Sequence, residues 1–289
     1  MAVAATLVKE LRDRTGLGML DCRDALIETD GDVERAIEGL RKKSSLKAAK
    51  KAGRTTAHGL LAVKISSDAK QAAMVEVNSE TDFAAKNDKF VAFVESVIDG
   101  VFERGDDDLE QLLAAGLNAE RETLVQEIGE NITIRRAAFL GTDDGYITSY
   151  VHSDQRKAVL IELSGANEEL GRDVAMHITA INPLVVASSD VARDVLAKER
   201  EIYLAQAQDS GKPPEIVEKI VDGRMKKYLA EVSLLDQPFV KDADVKVGKL
   251  LASADVECRR FVRFEVGEGI EVAKTDFAAE VAAQVKGSG

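Results

Sequence analysis

Apolar residues recur at helical spacing through the first forty positions of the chain. Leu7, Val8 and Leu11 predict a first helix that stops at Thr15-Gly16-Leu17-Gly18. Met19, Cys22, Leu26 and Ile27 predict a second helix, with these residues on or near one face. Thr29-Asp30-Gly31-Asp32 makes a turn and supplies a cap for a third, which carries Val33, Ile37 and Leu40. Three short helices enclose a very small core, and such bundles usually serve docking rather than reaction chemistry. The pattern then changes to strands. Gly59 to Ile65 and Ala72 to Val77 flank a turn at Ser66-Ser67-Asp68. A helix follows from about Lys89 to Ile98, with Phe90, Phe93, Val94 and Val97 inward and Gly100 at its end.

The same succession returns downstream. Gly145-Tyr146 to Val151 and Ala158 to Leu163 read as strands around Ser153-Asp154, and Glu168 to Ile181 as a helix. Placing Gly59 on Gly145 puts Asp68 on Asp154, Ala72 on Ala158 and Glu76 on Glu162, a constant offset of 86. Val91-Ala92 falls on Val174-Ala175 and Ile98 on Ile181 at an offset of 83, which a loop shorter by three residues explains. The expected fold class is therefore α+β, with a duplicated antiparallel-sheet-plus-helix core. Between Ser188 and Val232 helical periodicity resumes, broken at Asp209-Ser210-Gly211-Lys212-Pro213-Pro214. Val191, Val195, Ile202 and Ala205 are expected to face Ile216, Ile220, Met225 and Leu229 across an inserted helical hairpin. Phe261 to Val266 is strand-like, and Asp276 to Val285 reads as a last short helix. The expected units are 1–54 (bundle and basic linker), 55–140 (first core subdomain), 141–187 with 233–264 (second), 188–232 (hairpin) and 265–289 (C-terminal module).

Composition narrows the function. Hydrophobic residues make up 45% of the 289 and charged residues 31%, enough apolar surface for packed cores. Lys and Arg total 39 against 51 Asp and Glu, a formal charge of −12. That balance opposes non-specific nucleic-acid binding and adhesion to anionic membranes. The N-terminus becomes charged before an apolar signal segment could form, and Ala158 to Leu163 is too short to span a bilayer. With two distant cysteines, Cys22 and Cys258, the expectation is a cytoplasmic protein without disulfides. One segment runs against the global charge. From Arg41 to Arg54 there are seven basic residues and no acid, which reads as a solvated linker or linker helix, with a local RNA or acidic-partner contact as the alternative.

Catalytic constellations do not emerge. His58, His152 and His177 lie in separate elements, and a lone His is most often structural or superficial. Gly211-Lys212 is followed by Pro213, where a phosphate loop needs a hydroxyl. No metal-ligand or triad spacing is present, so neither an enzyme nor a cofactor is expected.

Three separated stretches carry a resemblance. Leu11-Arg12-Asp13-Arg14-Thr15-Gly16-Leu17-Gly18-Met19 with Asp21-Cys22, then Glu76-Val77-Asn78-Ser79-Glu80-Thr81-Asp82-Phe83, then Arg263 to Ile270 with Thr275 to Val281, are similar to the signatures of the elongation factor Ts family. The resemblance runs the length of the chain. It implies a UBA-like N-terminal bundle, a coiled-coil hairpin, a C-terminal helix module, and guanine nucleotide exchange on elongation factor Tu, the GTPase partner. It further implies that Thr81, Asp82, Phe83 and Ala84 dislocate the partner's magnesium. Arg12, Met19 and Leu20, and also Ile128, Gly129 and His152, would contact the partner. Family members often carry Met where this chain has Leu20, a nearly volume-conserving exchange. Pairing of two heterodimers is a further implication; membrane and direct nucleic-acid contacts are not expected.

The residues themselves leave a second reading of that loop. Thr81 is a good helix cap, Asp82 suits a helix N-terminus, and Phe83 could seal a core. Thr-Asp-Phe-Ala-Ala recurs at Thr275 to Ala279, so the pentapeptide alone signals a helix start. A different function class, an RNA-associated or scaffolding protein using Lys47 to Arg54 and the hairpin, would show itself by steeply salt-dependent RNA binding.

Overall fold

A computed structural model describes residues 3–208 and 213–271. The expected final helix, the Thr275 to Val281 motif and the Asp209 to Lys212 part of the hairpin turn lie outside the described residues. The fold is mixed helix and sheet with small antiparallel sheets, as α+β requires.

Three helices open the chain: α1 (Ala5–Thr15), α2 (Met19–Glu28) and α3 (Val33–Lys51). Val8, Leu11, Leu17, Cys22, Leu26 and Leu40 form their core, and Asp32 caps α3 by accepting the Arg35 N–H at 3.0 Å. The basic segment is the linker-helix alternative, with one side packed. α3 continues through it to Lys51 with Ser44 and Ala48 buried. Ser44 donates to Gln126 Oε1 at 2.6 Å, so this end of the helix is docked on the core.

Strands β1 (His58–Ile65), β2 (Gln71–Ser79) and β3 (Ile132–Gly141) form one antiparallel sheet in the order β1-β2-β3. Between β2 and β3 lie α4 (Asp82–Ala85), α5 (Asp88–Arg104), α6 (Leu109–Leu112) and α7 (Asn118–Ile128). β4 (Tyr146–Val151) and β5 (Lys157–Leu163) follow, then α8 (Glu168–Ile181), the hairpin helices α9 (Arg193–Gln208) and α10 (Pro214–Val232), the short pair β6 (Pro238–Phe239) and β7 (Asp242–Lys246), α11 (Val247–Ser253) and β8 (Cys258–Glu265). The second sheet is ordered β4-β5-β8. Leu61, Met74, Leu140, Ile147, Leu160 and Phe264 fill the space between the two sheets. α5 and α7 cover the outer face of the first, and α8 and α11 that of the second.

Sequence positions 86 apart do the same work in the two sheets. A Cβ on Gly59 would collide with the Val77 carbonyl, and one on Gly145 would approach Leu163 O to 3.0 Å. Ala69 and Gln155 hold the turns at φ 56 and 55. Glu76 faces Arg136 beside a bulge at Arg135, and Glu162 faces Arg260 beside a bulge at Arg259.

Three expectations need correction. α5 ends not at Gly100 but at the left-handed cap Gly105; Gly100 is interior, where a Cβ would meet Leu112 Cδ1 at 2.8 Å. The hairpin seam runs through Tyr203, Leu204, Ala207, Val217 and Val221 with Ile220 and Met225 packed against it as expected, whereas Ile202 and Ile216 are exposed. On α9 the expected seam is displaced by one or two positions, from Ile202 and Ala205 to Tyr203, Leu204 and Ala207. Ile27 lies off the Cys22–Leu26 face, and Met19, on that side but at the first turn of α2, is exposed rather than packed.

His177 on α8 is fully buried. Its Nδ1 accepts the Val240 N–H at 3.1 Å, which places the proton on Nε2, 2.9 Å from Gln237 Oε1. Burial pushes its pKa below the usual 6.5, with the Gln237 bond opposing. As pH falls through about 6.5 the unfolded chain takes up a proton that the folded chain refuses, so stability drops. The expected result is a thermal midpoint that declines between pH 7.5 and 5.5, with a shallower decline in His177→Gln, read by calorimetry.

Candidate partner-binding and magnesium-site surface

The surface grows from three chain reversals. Gly16, at φ 71, ends α1 by returning its N–H to Arg12 O, and the chain turns through buried Leu17 into α2. α2 turns Cys22, Ala25 and Leu26 inward. At 100° per residue Leu20 and Ile27 occupy the other side, while Met19, on the Leu26 side, stands at the open first turn; Met19 is 61% and Leu20 67% exposed. Two adjacent apolar side chains are thus solvated at the start of α2. Arg12 is exposed on α1 and forms no ion pair with another described residue.

The second reversal follows β2. Thr81 is extended and caps α4, its hydroxyl oxygen accepting the Ala84 N–H at 3.2 Å. That single turn buries Ala84 and Ala85 and leaves Phe83 80% exposed. The core-sealing reading of Phe83 is thereby overturned: with positions 84 and 85 inward, the ring is directed to solvent. Asp82 accepts from Lys86 Nζ at 2.8 Å, and this bond, more than any other influence, holds its carboxyl below the usual carboxylate range. Lys86 Nζ also lies 5.9 Å from the Phe83 ring. The tip therefore presents an ionised carboxylate next to an exposed aromatic ring.

The third reversal is the end of α7. Gly129, at φ 85, caps the helix through its N–H to Val125 O, with Ile128 half-buried before it. Lys51 Nζ donates to the Gly129 carbonyl. Glu130 reaches the second reversal, accepting the Thr81 N–H at 2.9 Å and the Thr81 hydroxyl at 2.7 Å. Lys89 joins the first reversal to the third, donating to Gly16 O at 3.2 Å and Glu127 Oε2 at 2.7 Å.

The structure thus brings Thr81–Ala84 together with Ile128–Gly129 and ties the Gly16 loop to the same end of the core. It does not join His152 to them by a hydrogen bond. His152 is exposed in the β4–β5 turn, with Nδ1 2.9 Å from Asp154 Oδ1, and that turn meets β1 where Gln155 O accepts the Leu61 N–H. Lys89, Glu127, Glu80 and Glu130 escaped the sequence reading. Their partners lie between 26 and 73 positions away, and no local spacing announces them.

Among the described residues no group of three or more His, Cys, Asp or Glu side chains could hold a metal, and no helix is long and apolar enough to cross a membrane. An open cleft of about 480 Å³ lies among α3, α5 and α7, lined in part by Arg14, Leu17 and the Lys89–Glu127 pair.

A family model described as "Elongation factor TS" matches residues 80–268. The chain is 56% identical over 286 residues to the elongation factor Ts of Hahella chejuensis, covering 99% of each. It is 54% identical over 288 residues to that of Saccharophagus degradans, covering 100% of this chain and 99% of the relative. With that of Marinobacter nauticus identity is 53% over 282 residues, 98% of this chain and 97% of the relative.

Proposed function

The chain belongs to the elongation factor Ts family, and from that premise we propose that it is a cytoplasmic guanine nucleotide exchange factor that binds elongation factor Tu–GDP and expels GDP by disturbing the magnesium and phosphate site. The observation that carries this reading is the exposed Phe83 beside ionised Asp82 on a tip whose backbone is held at Thr81. A GTPase holds its nucleotide through phosphate-loop amides, a Lys and a magnesium ion bridging phosphate oxygens. An exchange factor performs no bond chemistry. It must bind the emptied GTPase more tightly than the loaded one, and linkage then lowers nucleotide affinity by the same factor. In this reading Phe83 gains its burial only within the partner, where it separates the elements that hold the metal. Asp82 disfavours the phosphates and competes for the donors around them. The complex persists until GTP binds.

Arg12, Met19 and Leu20 supply the first partner contact, and Ile128, Gly129 and His152 a second. The same reading treats the N-terminal bundle as UBA-like, the core as a duplicated unit, the hairpin as a coiled coil and 265–289 as a separate module; the matched Glu76 and Glu162 settings favour the duplication. Pairing of two heterodimers through core or hairpin belongs to it and is checked by sedimentation of the complex. Direct nucleic-acid contact is not part of this reading; of the seven basic residues of 41–54, Lys43, Lys47, Lys51 and Arg54 have acceptors of their own in Glu28, Asp21, Gly129 O and Glu80.

The test is release of fluorescent GDP from purified elongation factor Tu. Acceleration by the chain, together with tighter calorimetric binding to the nucleotide-free than to the GDP form, is expected. Equal affinity for both forms with unaltered release would end the proposal. Met19→Asp with Leu20→Asp is expected to weaken binding to the nucleotide-free partner by roughly 30-fold or more, the scale for a lost apolar anchor. Because both side chains are solvated, the melting temperature of the free chain should hold.

A further inference from the structure

Two neighbouring carboxylates exchange partners across the tip. Glu130 accepts both the main-chain N–H and the hydroxyl of Thr81, at 2.9 and 2.7 Å. Glu80, one residue before Thr81, accepts the N–H of Asn131, one residue after Glu130, at 2.5 Å. The end of the basic helix closes the knot. Asn131 Nδ2 donates to Arg54 O at 2.9 Å, Arg54 approaches Glu80 Oε1 at 3.4 Å, and Lys51 donates to Gly129 O. Three segments distant in sequence, 51–54, 80–81 and 129–131, are therefore bonded to one another at the base of the Phe83 tip.

We propose that Glu130 is a positioning residue for nucleotide exchange, setting the direction of Phe83 and coupling it to the Ile128–Gly129 contact and to the N-terminal bundle. The proposal rests on the exchange reading above. α4 has four residues, too few to be a stable helix unaided. Phe83 is solvated and gains no restraint from packing of its own ring. Its direction then follows from buried Ala84 and Ala85 on one side and from whatever fixes Thr81 on the other. At Thr81 the Ser79 hydroxyl holds the carbonyl at 2.9 Å, and the N–H and hydroxyl are held by the Glu130 carboxylate, the stronger kind of hydrogen bond. Without Glu130 the Thr81 N–H would turn to water and the wedge would sample many directions, so that ordering it would oppose exchange. The chain neighbours of Glu130, Gly129 and Asn131, are bonded to Lys51, Arg54 and the Glu80 carboxylate, so Glu130 sits in one network with a wedge and two docking faces. Binding at either face thereby presents Phe83 in register.

A double-mutant cycle between Glu130→Ala and Phe83→Ala, read as fluorescent GDP release from elongation factor Tu over a range of factor concentrations, tests this. Glu130→Ala is expected to lower the maximal release rate about tenfold or more, on the scale of coupling within one hydrogen-bonded network, with a much smaller change in the half-saturating concentration. If Glu130 acts through Phe83, the double variant is no slower than Phe83→Ala alone. Glu130→Gln, which keeps one acceptor oxygen, should recover part of the rate. Thr81→Val, which keeps the main-chain bond, should lose only part, and these two carry the cycle if Glu130→Ala does not fold. Fold losses that multiply in the double variant, or a wild-type maximal rate in Glu130→Ala, overturn the proposal. Failure of the wild-type chain to accelerate release is a separate result that removes the exchange reading itself.

Discussion

Phe83→Ala should abolish most of the acceleration of GDP release while leaving the melting temperature of the free chain nearly unchanged. The two halves of that expectation come from one number, the 80% exposure of the ring. A Phe buried in a core costs about 3–5 kcal/mol when cut to Ala, whereas a surface change away from special features stays within about 0.5 kcal/mol. The free chain therefore has little to lose. The complex has more. Full burial of a Phe ring is worth roughly 1.5–3 kcal/mol, equivalent to about a 10- to 150-fold shift in any equilibrium that buries it in one state and not the other. If the ring is buried only against the emptied partner, that whole shift appears in nucleotide release. Stopped-flow release with saturating factor gives the rate, and differential scanning calorimetry of the free chain gives the stability. A Phe83→Ala chain that releases GDP as fast as wild type while still binding would remove the wedge. A fall of many degrees in its melting temperature would instead restore a packing role for the ring.

How much of this could be read from the sequence depends on the range of the interaction concerned. The central strands were legible because alternation and the turns at Asp68 and Asp154 are local, and so was the inward face of α5: Phe90, Phe93, Val94 and Val97 are all buried. β3 was not legible. Arg135 and Arg136 interrupt its alternation, and they sit there to meet Glu76, some 60 positions earlier. The basic run could be read as a helix with solvated charges, but not its docking side, because Ser44 and Ala48, hidden between the charges, make it. In the hairpin, apolar spacing picked Ile202, yet the seam took Tyr203 and Ala207. At the site, Thr81 could be read as a cap from its own neighbours. Its outer restraint, Glu130, could not, because nothing near either residue marks a bond across 49 positions. The pentapeptide around Phe83 likewise announces a helix start, and only the depth at which β2 ends decides whether its ring points to the core or to solvent.

The largest loss of stability is expected from Glu76→Ala. The Glu76 side chain is 0% exposed, its two oxygens 2.9 Å from Arg135 Nη1 and 2.6 Å from Arg136 Nε, and it accepts the Gly267 N–H at 2.9 Å. Burial opposes its charge, but the Gly267 N–H and the two guanidiniums outweigh that, and its pKa stays below the ordinary 4.5. Gly267 is held at φ 76 so close to the Ala57 carbonyl that a Cβ would collide with it. Arg136 also donates to Glu265 O at 3.0 Å, so one carboxylate links the first sheet to the strand end that closes the second. Removing one partner of a buried ionic cluster costs about 3–5 kcal/mol, because the charges left behind stay partly desolvated. Glu162→Ala should cost distinctly less. Its partner Arg259 keeps a two-pronged pair with Asp144, at 2.5 and 2.9 Å, and Arg259 and Arg260 are more open to water than Arg135 and Arg136. Denaturant titration of the two variants measures the difference, and equal losses would mean that the Gly267 link adds nothing. Because the folded pKa of Glu76 is depressed, its contribution is full above about pH 4.5 and fades as pH falls toward the folded value, so Glu76→Ala should show a weaker acid dependence than wild type. Glu76 lies on the strand that ends at the Phe83 tip, but its bonds lie below the Glu80–Asn131 pair. Well under its own melting temperature, then, Glu76→Ala should still release GDP at the wild-type rate, which separates holding the sheets together from holding the wedge.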